Sequence, residues 1–400
     1  MYIMDTRRIR TFVNTEVDNF LRYNTYLTGS ILSPLLHGLT LADNATVEAG
    51  AAYLQRGFEP KQPFEQVKIG YLVFQLCTSY IQRLSIPNEI ADPFREGLIR
   101  KATINAKICN KSYFTENPYF ANIAIPDIEV GGISLEHASF EKGEVCFWNP
   151  PYPNIIDGLN YPSPCLCWIK DRVKYPVLCE NNEAWMSITP NEIETMREPI
   201  EAACGDVLTL GCGLGYYAYM ASEKRDVSSV TIIESNPTVL DMFQEYILPQ
   251  FPHKEKIRII QADAFEYLQN LEDGKFHYCF ADLWAHAADI VPYLKTRKFC
   301  DKFTKTKVSY WIQDGLDFQI QTSVLTRIYC QVNGVGHLNE TTMAKMKCEA
   351  EQEPDSISAQ QLDGELLLDK ILRNARITNV EGIFQYTDSR FLATMLPEII

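Results

Sequence analysis

The sequence predicts a doubly wound α/β fold in its second half, after a mainly helical N-terminal domain and a short β-rich connecting region. Three observations predict it. An apolar run leads into a glycine-rich turn, three further apolar runs each end in an acid, and helix-like segments separate these runs. Open parallel sheets are built from such units, and they bind ligands at the carboxyl edge of their strands.

The length of 400 residues exceeds one typical domain, so we divide the chain by its changes of pattern. We predict a helical domain over 1–122, a β-rich connector with a proline-rich loop over 123–183, a ligand-binding domain over 184–335 and a partly loop-like extension over 336–400.

The charge and hydropathy of the chain exclude several classes of partner. A formal net charge of -14 opposes non-specific nucleic-acid binding, because such binding needs Lys and Arg to neutralise phosphates. The N-terminus carries charges where a signal peptide needs an apolar core. The most apolar stretch, Gly70–Leu84, is too short to span a bilayer. We expect a cytoplasmic protein with neither nucleic acid nor a membrane as partner.

The 12 cysteines are scattered and form no CxxC pair. Only Cys165 and Cys167 are closely spaced, and no His lies near them in the sequence. This spacing does not match a zinc site, so we expect no metal and interpret most cysteines as small apolar residues.

The N-terminal region is predicted to be helical because apolar residues from Phe12 to Ile31 recur at spacings close to 3.6. From about Ile123 the pattern changes to short β-like runs, which are broken by Gly131, Gly132 and Gly143 and followed by a proline cluster over 150–164. A new helix should begin at Pro190, because Thr189 is a good N-cap and Glu192 completes a capping box.

The most informative stretch follows that helix. Val207–Leu210 is an apolar run typical of a buried parallel strand. Gly211, Gly213 and Gly215 come next, and a helix-like segment follows them. A strand, a glycine turn and a helix together present backbone N–H groups to a ligand, although a tight turn without a ligand has the same pattern.

Acids at the ends of later strands strengthen the ligand interpretation. A single strand-end acid often only caps the next helix, but three in succession after a glycine turn predict a binding site. The strands and their acids are Val230–Pro237 with Glu234, a strand from Ile257 with Asp263, and Phe276–Trp284 with Asp282; Lys307–Ile312 is a candidate fifth strand.

The stretch from Trp185 to Trp284 resembles the class I S-adenosylmethionine-dependent methyltransferases, and its core is most similar to the spermidine synthases. The resemblance rests on "PNEIETMREPI", "LTLGCGLG", "VTIIESNP", "QADAFEYL" and "FADLW". It implies a Rossmann-like methyltransferase sheet and S-adenosyl-L-methionine as the cofactor. We expect a small-molecule acceptor as the partner and keep a homodimer as a candidate assembly.

The resemblance also implies roles for individual residues. Asp282 would face the transferable group, and it is our candidate catalytic base, with His286 as the second candidate. Trp284 and Glu192 are candidate substrate contacts, although Trp284 would also serve as plain packing. The implied cofactor contacts are Gly211, Gly213 and Gly215 at the methionine part, Glu234 at the ribose, and Asp263 with the backbone of Ala264 at the adenine.

Two departures from the spermidine-synthase pattern favour methyl transfer over aminopropyl transfer. Leu214 stands where that family has an Asp that selects decarboxylated S-adenosylmethionine. Ala285 stands where a second carboxylate would hold a polyamine, a role that Asp289 or Glu192 could take instead. We therefore predict a methyltransferase and keep a spermidine-synthase-like aminopropyltransferase as the alternative.

Two other interpretations of the domain stay open. The segment from Gly213 to Ala218 also fits the dinucleotide pattern G-x-G-x-x-A, but Gly211 and Asp263 would then have no role. A non-catalytic protein that keeps the methyltransferase fold is the other interpretation, since the N-terminal region has no counterpart in the family.

Asn149–Tyr152 reads NPPY, the signature of enzymes that methylate exocyclic or amide amines. In those enzymes the motif ends the fourth strand, a place that "FADLW" occupies here. We interpret NPPY as a coincidence in a proline-rich loop, with contact to the substrate as the alternative.

In the C-terminal region, we expect residues 345–362 to be loop or partly disordered and a last helix to run from about Leu362 to Asn374.

Overall fold

The computed structural model of the protein describes residues 1–36, 44–148, 153–181, 183–337 and 356–396, together with Met343 and Met346. The NPPY motif at Asn149–Tyr152 lies outside the described residues. The same holds for most of the segment 338–355, so the expectation of a loop there is neither supported nor contradicted.

The N-terminal region is mainly helical, as its 3.6-residue periodicity predicts. Val13, Val17 and Phe20 are fully buried on one face of a helical run that continues through π-helical turns at Val13–Val17 and Thr28–Leu32. The elements are β1 Tyr2–Ile3, α1 Arg7–Phe12, α2 Asp18–Leu27, α3 Ser33–Leu36, α4 Asn44–Leu54, α5 Phe64–Leu84, α6 Asn88–Asn105, β2 Lys107–Cys109, α7 Lys111–Thr115 and α8 Pro118–Asn122.

The connecting region is β-rich, and its turns fall at the predicted glycines. Gly131, Gly132 and Gly143 all have positive φ, which glycine adopts without a steric cost. The strands are β3 Ile128–Val130, β4 Ile133–Phe140, β5 Val145–Phe147, β6 Ile155–Ile156, β7 Leu159–Asn160, β8 Leu166–Ile169, β9 Val173–Glu180 and β10 Glu183–Ser187. One antiparallel sheet has the order β10-β9-β4-β3, which brings the end of β10 to the next domain.

The α/β domain confirms the four predicted strands and contains the candidate fifth strand. Thr189 caps the helix that begins at Pro190, where its side chain accepts the N–H of Glu192. The elements are α9 Pro190–Ala202, β11 Gly205–Leu210, α10 Tyr216–Ser222, β12 Val227–Glu234, α11 Pro237–Met242, β13 Ile257–Gln261, α12 Ala264–Gln269, β14 Tyr278–Ala281, α13 Ile290–Cys300, β15 Lys307–Tyr310 and α14 Gln313–Asn333.

All five strands are parallel and have the order β13-β12-β11-β14-β15. The central strands are almost fully buried because helices cover both faces of a parallel sheet, whereas the edge strands β13 and β15 are partly exposed. The order reverses between β11 and β14. Ligands of open α/β sheets bind at such a reversal, outside the carboxyl ends of the strands.

The C-terminal region contains a longer helix than the sequence predicts. The helix predicted from about Leu362 begins at Ser356, so the expectation of a loop is wrong for 356–362. Tertiary packing decides this, because the helix buries Leu368 and Leu372 against the core although its first residues are polar. The helix is also not the last one, because two shorter helices follow it. The elements are α15 Ser356–Leu372, β16 Arg376–Ile377, α16 Val380–Thr387 and α17 Ser389–Thr394.

Two hydrophobic cores hold these elements together. The larger core combines the central sheet with Ile9, Val13, Val17 and Phe20 of the first helical run. The smaller one joins the later N-terminal helices to Leu166 and Trp168 of β8. None of the described helices is long and apolar enough to cross a bilayer.

Candidate functional site

The glycine turn between β11 and α10 is packed too closely for other residues at two positions. Gly211 has a φ of 98°, and a Cβ there would lie 2.4 Å from the backbone oxygen of Asp282. A Cβ on Gly213 would lie 2.1 Å from the Sδ of Met186 in β10. The backbone of the turn therefore lies directly against the end of β14 and against β10 of the connecting sheet.

A residue of the N-terminal region supports this turn from behind. The hydroxyl of the buried Tyr119 donates to the carbonyl oxygen of Leu214 at 2.5 Å. Asn117 on the same side donates to the hydroxyl of Tyr216 at 2.9 Å. The helical region thus positions the turn and the start of α10, a relationship that the sequence did not predict.

Glu234 at the end of β12 is only 8% exposed, and backbone groups bind both of its oxygens. Oε2 accepts the N–H of Cys212 in the glycine turn at 3.1 Å. Oε1 accepts the N–H of Asn236 at 2.9 Å. Each carboxylate oxygen has a second lone pair, so Glu234 both orders the turn and keeps capacity for a ligand.

Asp263 caps the next helix. Its Oδ1 accepts the N–H groups of Phe265 and Glu266 at 2.8 and 2.9 Å, which is the ordinary role of a strand-end acid. Its second oxygen takes no part in this cap. Asp263 and the buried Ala264 both line the candidate cavity, so the capping role and a ligand role are compatible.

Three further acids line the site. Burial raises the pKa of Asp282 to about 7. Burial, together with the charge of Asp282, raises the pKa of Glu192 well above its ordinary value. Burial and the nearby Asp363 raise the pKa of Asp289 to about 6. Asp282 and Asp289 are therefore poised to exchange protons near neutral pH.

Two tryptophans near Asp282 are held in place by hydrogen bonds. The indole N–H of Trp284 donates to the carbonyl oxygen of Trp311 at 3.0 Å, and the indole N–H of Trp311 donates to Oγ1 of Thr195 at 2.9 Å. Trp284 is only 5% exposed and packs edge-on against Tyr293. These contacts hold the side chain of Trp284 in one position beside Asp282.

A cavity of about 360 Å³ lies at the reversal of strand order. Its volume falls in the range of small-molecule sites, roughly 300–1,000 Å³. Eight of the ten candidate catalytic, cofactor and substrate residues line it: Gly211, Gly213, Glu234, Asp263, Ala264, Asp282, Trp284 and Glu192.

Gly215 and His286 do not belong to the described lining of this cavity. Gly215 instead is the N-cap of α10, where a Cβ would meet the ring of Phe243 at 2.5 Å. His286 lies in the turn before α13, and its Nδ1 accepts the N–H of Ala288 at 3.2 Å. This local bond holds the imidazole in the turn, so the geometry favours Asp282 over His286 as a base.

Several lining residues escaped sequence reasoning. Trp185, which is 43% exposed, and Met186 reach the cavity from β10, and Trp311 reaches it from the end of β15. Gln360 comes from the C-terminal helix α15. Packing between distant segments places these residues at the cavity. Only Trp185 and Met186 had a signal in the sequence, because they stand shortly before the capped helix.

Neither a family model nor a curated protein matches the sequence. Among solved structures, a spermidine synthase from Thermotoga maritima is similar at 16% identity and a TM-score of 0.28, over 40% of this chain and 60% of that chain. A probable spermidine synthase from Corynebacterium glutamicum is similar at 18% identity and a TM-score of 0.25, over 32% of this chain and 51% of that chain.

A Trypanosoma brucei PRMT1 enzyme-prozyme complex with AdoHcy is similar at 16% identity and a TM-score of 0.23, over 30% of this chain and 36% of that chain. The chain thus spans less than two thirds of the length of each of these three proteins. Because the overlaps are partial and the TM-scores low, the proposals below rest on the geometry and charge of the cavity.

Proposed function

We propose that the protein is an S-adenosylmethionine-dependent methyltransferase that acts on a small-molecule acceptor. The observation that carries this proposal is the cavity at the sheet's reversal. Gly211, Gly213 and Glu234 line it together with Asp282, whose backbone oxygen lies against Gly211. A cofactor held by the glycine turn and Glu234 would place its reactive group beside Asp282.

The charge of the cavity supports a cationic cofactor. Five carboxyl groups line it, and its described lining contains no Lys, Arg or His: the five are Glu192, Glu234, Asp263, Asp282 and Asp289. S-adenosylmethionine carries a sulfonium cation, which this field attracts. The diphosphate of a nicotinamide dinucleotide would meet the same acids without a neutralising side chain, so the charge counts against that alternative.

The residues present fit the cofactor. Gly211 and Gly213 line the cavity, and the absence of a Cβ at each lets the turn lie against Asp282 and Met186, which line the cavity too. The remaining lone pairs of Glu234 would accept the ribose hydroxyls, and Asp263 with Ala264 would adjoin the adenine. When bound, S-adenosylmethionine supplies an electrophilic methyl group, so the chain's remaining task is to align an acceptor and exclude water.

Asp282 is the proposed base. With a pKa raised to about 7, its carboxylate is present in substantial amount at neutral pH and is more basic than an ordinary aspartate. It would take the proton that an amine or hydroxyl acceptor loses on methylation. The buried Trp284 would keep bulk water away from this position.

A second candidate function is aminopropyl transfer from decarboxylated S-adenosylmethionine. The specific observation in its favour is that Glu192 and Asp289 line the cavity together with Asp282. They supply carboxyl groups that the sequence lacks at Ala285. A polyamine and a cofactor without a carboxylate would both suit so acidic a cavity.

Ligand-dependent stabilisation tests the proposed function. S-adenosylhomocysteine at 100 times its dissociation constant should raise the free energy of unfolding by about 2.7 kcal/mol, while NAD should leave it unchanged. Thermal and urea unfolding with each ligand measure this. Stabilisation by NAD but not by S-adenosylhomocysteine would contradict the proposal.

A further inference from the structure

The cavity has a wall that belongs neither to the parallel sheet nor to its crossover helices. Gln360 of α15 lines it, far along the chain from the other lining residues. The side-chain Oε1 of Gln360 is buried, and no described residue donates a hydrogen bond to it. An unsatisfied amide oxygen is costly in a buried place unless a ligand or water supplies the missing donor.

The helix that carries Gln360 is firmly attached to α14. The guanidinium of Arg327 is almost fully buried and donates to Oε2 of Glu365 at 2.5 Å and to Oδ1 of Asp369 at 2.7 Å. The hydroxyl of Ser323 donates to Oε1 of Glu365 at 2.5 Å. A buried, multiply bonded arginine fixes the geometry of both helices, so the position of Gln360 is defined by packing.

The same helix contacts the acidic end of the cavity. A Cβ on Gly364 would lie 2.7 Å from the side chain of Ile290, directly after Asp289. The charge of Asp363 contributes to the raised pKa of Asp289, so these two side chains are close. Gln360, one helical turn before Gly364, therefore lies on the same side of the cavity as Asp289.

The chemistry on this side is rich in hydrogen-bond acceptors and poor in donors. Glu192, Asp282 and Asp289 present carboxyl groups, and Gln360 adds an amide oxygen. A ligand that fits must bring several N–H donors and a positive charge. An amine in its ammonium form has both properties, whereas an alcohol offers one donor and a carboxylate none.

We propose that Gln360 is a specificity residue for the acceptor, and that its Oε1 accepts a hydrogen bond from the N–H of an amine held beside Asp282 and Asp289. This inference rests on the proposed function, because it assigns the acceptor end of the same cavity. The C-terminal region would then contribute to the substrate specificity of the protein.

Calorimetry on the full chain saturated with S-adenosylhomocysteine tests this inference, with butylamine and putrescine as probes. Wild-type protein should bind at least one of the two amines. Gln360→Met, which keeps the side chain's length but removes the acceptor oxygen, should weaken that binding about tenfold or more. Gln360→Glu, which keeps an acceptor oxygen, should bind the amine at least as tightly as the wild type.

Gln361→Met is the matched control, because Gln361 is the adjacent residue of the same helix and is exposed. It should leave the binding of the amine unchanged. Both methionine variants should bind S-adenosylhomocysteine like the wild type, which also shows that they are folded. Equal amine affinity in the two variants, weaker S-adenosylhomocysteine binding by Gln360→Met alone, or no amine binding by the wild type would each overturn the inference.

The two proposals fail in different ways. If the wild type does not bind S-adenosylhomocysteine, the proposed function fails and the assignment of Gln360 falls with it. If S-adenosylhomocysteine binds and the amines do not, the cofactor assignment stands and only the inference about Gln360 is wrong.

Discussion

Glu192 and Asp282 share one cavity, and the charge of Asp282 raises the pKa of Glu192. Glu192 comes from the first turn of α9, and Asp282 follows β14 directly. Two partly buried carboxyl groups that interact this way resist being ionised together. At neutral pH the pair therefore holds a proton, which an incoming cation would displace.

The first prediction concerns the cost of burying Asp282. Its pKa rises from 3.8 to about 7 on folding, so the folded state holds the proton more tightly than the unfolded state. The associated stability is fully present below about pH 4 and is lost as the pH rises through 7. Asp282→Asn should therefore raise the free energy of unfolding at pH 8 by roughly 2–4 kcal/mol and remove this pH dependence.

Urea unfolding between pH 4 and pH 8 measures this effect. The matched control is Asp241→Asn, since Asp241 is exposed on α11. It should follow the wild-type curve within about 0.5 kcal/mol. If Asp282→Asn were less stable than the wild type at pH 8, Asp282 would be stabilised by a partner and would not be the proposed base.

The second prediction concerns Glu234, which bonds the glycine turn and would also bind the ribose. Glu234→Gln keeps one acceptor oxygen but loses the other and the charge. The affinity for S-adenosylhomocysteine should fall at least tenfold, because a hydrogen bond to a charged group is worth about 1.5–3 kcal/mol. Calorimetry measures the affinity, and Glu245→Gln at an exposed position is the control. Unchanged affinity would restrict Glu234 to its role in ordering the turn.

The third prediction concerns Gly211. An added Cβ would collide with the backbone oxygen of Asp282, and φ is positive. Gly211→Ala should lower stability by more than about 1 kcal/mol and weaken S-adenosylhomocysteine binding. Gly97→Ala provides the contrast, because nothing lies within 4 Å of a Cβ there and the residue is helical. It should stabilise the protein by about 0.4–1 kcal/mol. Equal stability of the two variants would show that the backbone of the turn can shift at little cost to make room for a Cβ.

The fourth prediction decides between methyl and aminopropyl transfer. Leu214 is fully buried and supplies no anion that favours the decarboxylated cofactor. We expect S-adenosylmethionine to bind at least as tightly as its decarboxylated form, and putrescine not to raise the affinity of either. Calorimetry with both cofactors, with and without putrescine, tests this. A clear preference for the decarboxylated form, strengthened by putrescine, would establish that Glu192 and Asp289 replace the missing carboxylate.

The central sheet could be predicted from the sequence because the residues that determine its strands and turns lie close together in the chain. Buried strands are short apolar runs, and Thr189 and the turn glycines act on their immediate neighbours. Glu234, Asp263 and Asp282 followed from one rule, that parallel strands end at the same edge. Gln360 and Tyr119 could not be predicted in this way. Each reaches the site through packing between distant segments, and nothing in its own neighbourhood signals that contact.

The pairing of β1 with β16 has a consequence for when the site is completed during synthesis. Tyr2 and Ile3 pair in parallel with Arg376 and Ile377, just after the helix that carries Gln360. At translation speeds of about 5–20 residues per second, the first strand emerges roughly 20–75 s before its partner. Until α15 emerges, shortly before that partner strand, the glycine turn can form but the wall with Gln360 is absent. A nascent chain should therefore be able to hold a cofactor before it can select an acceptor.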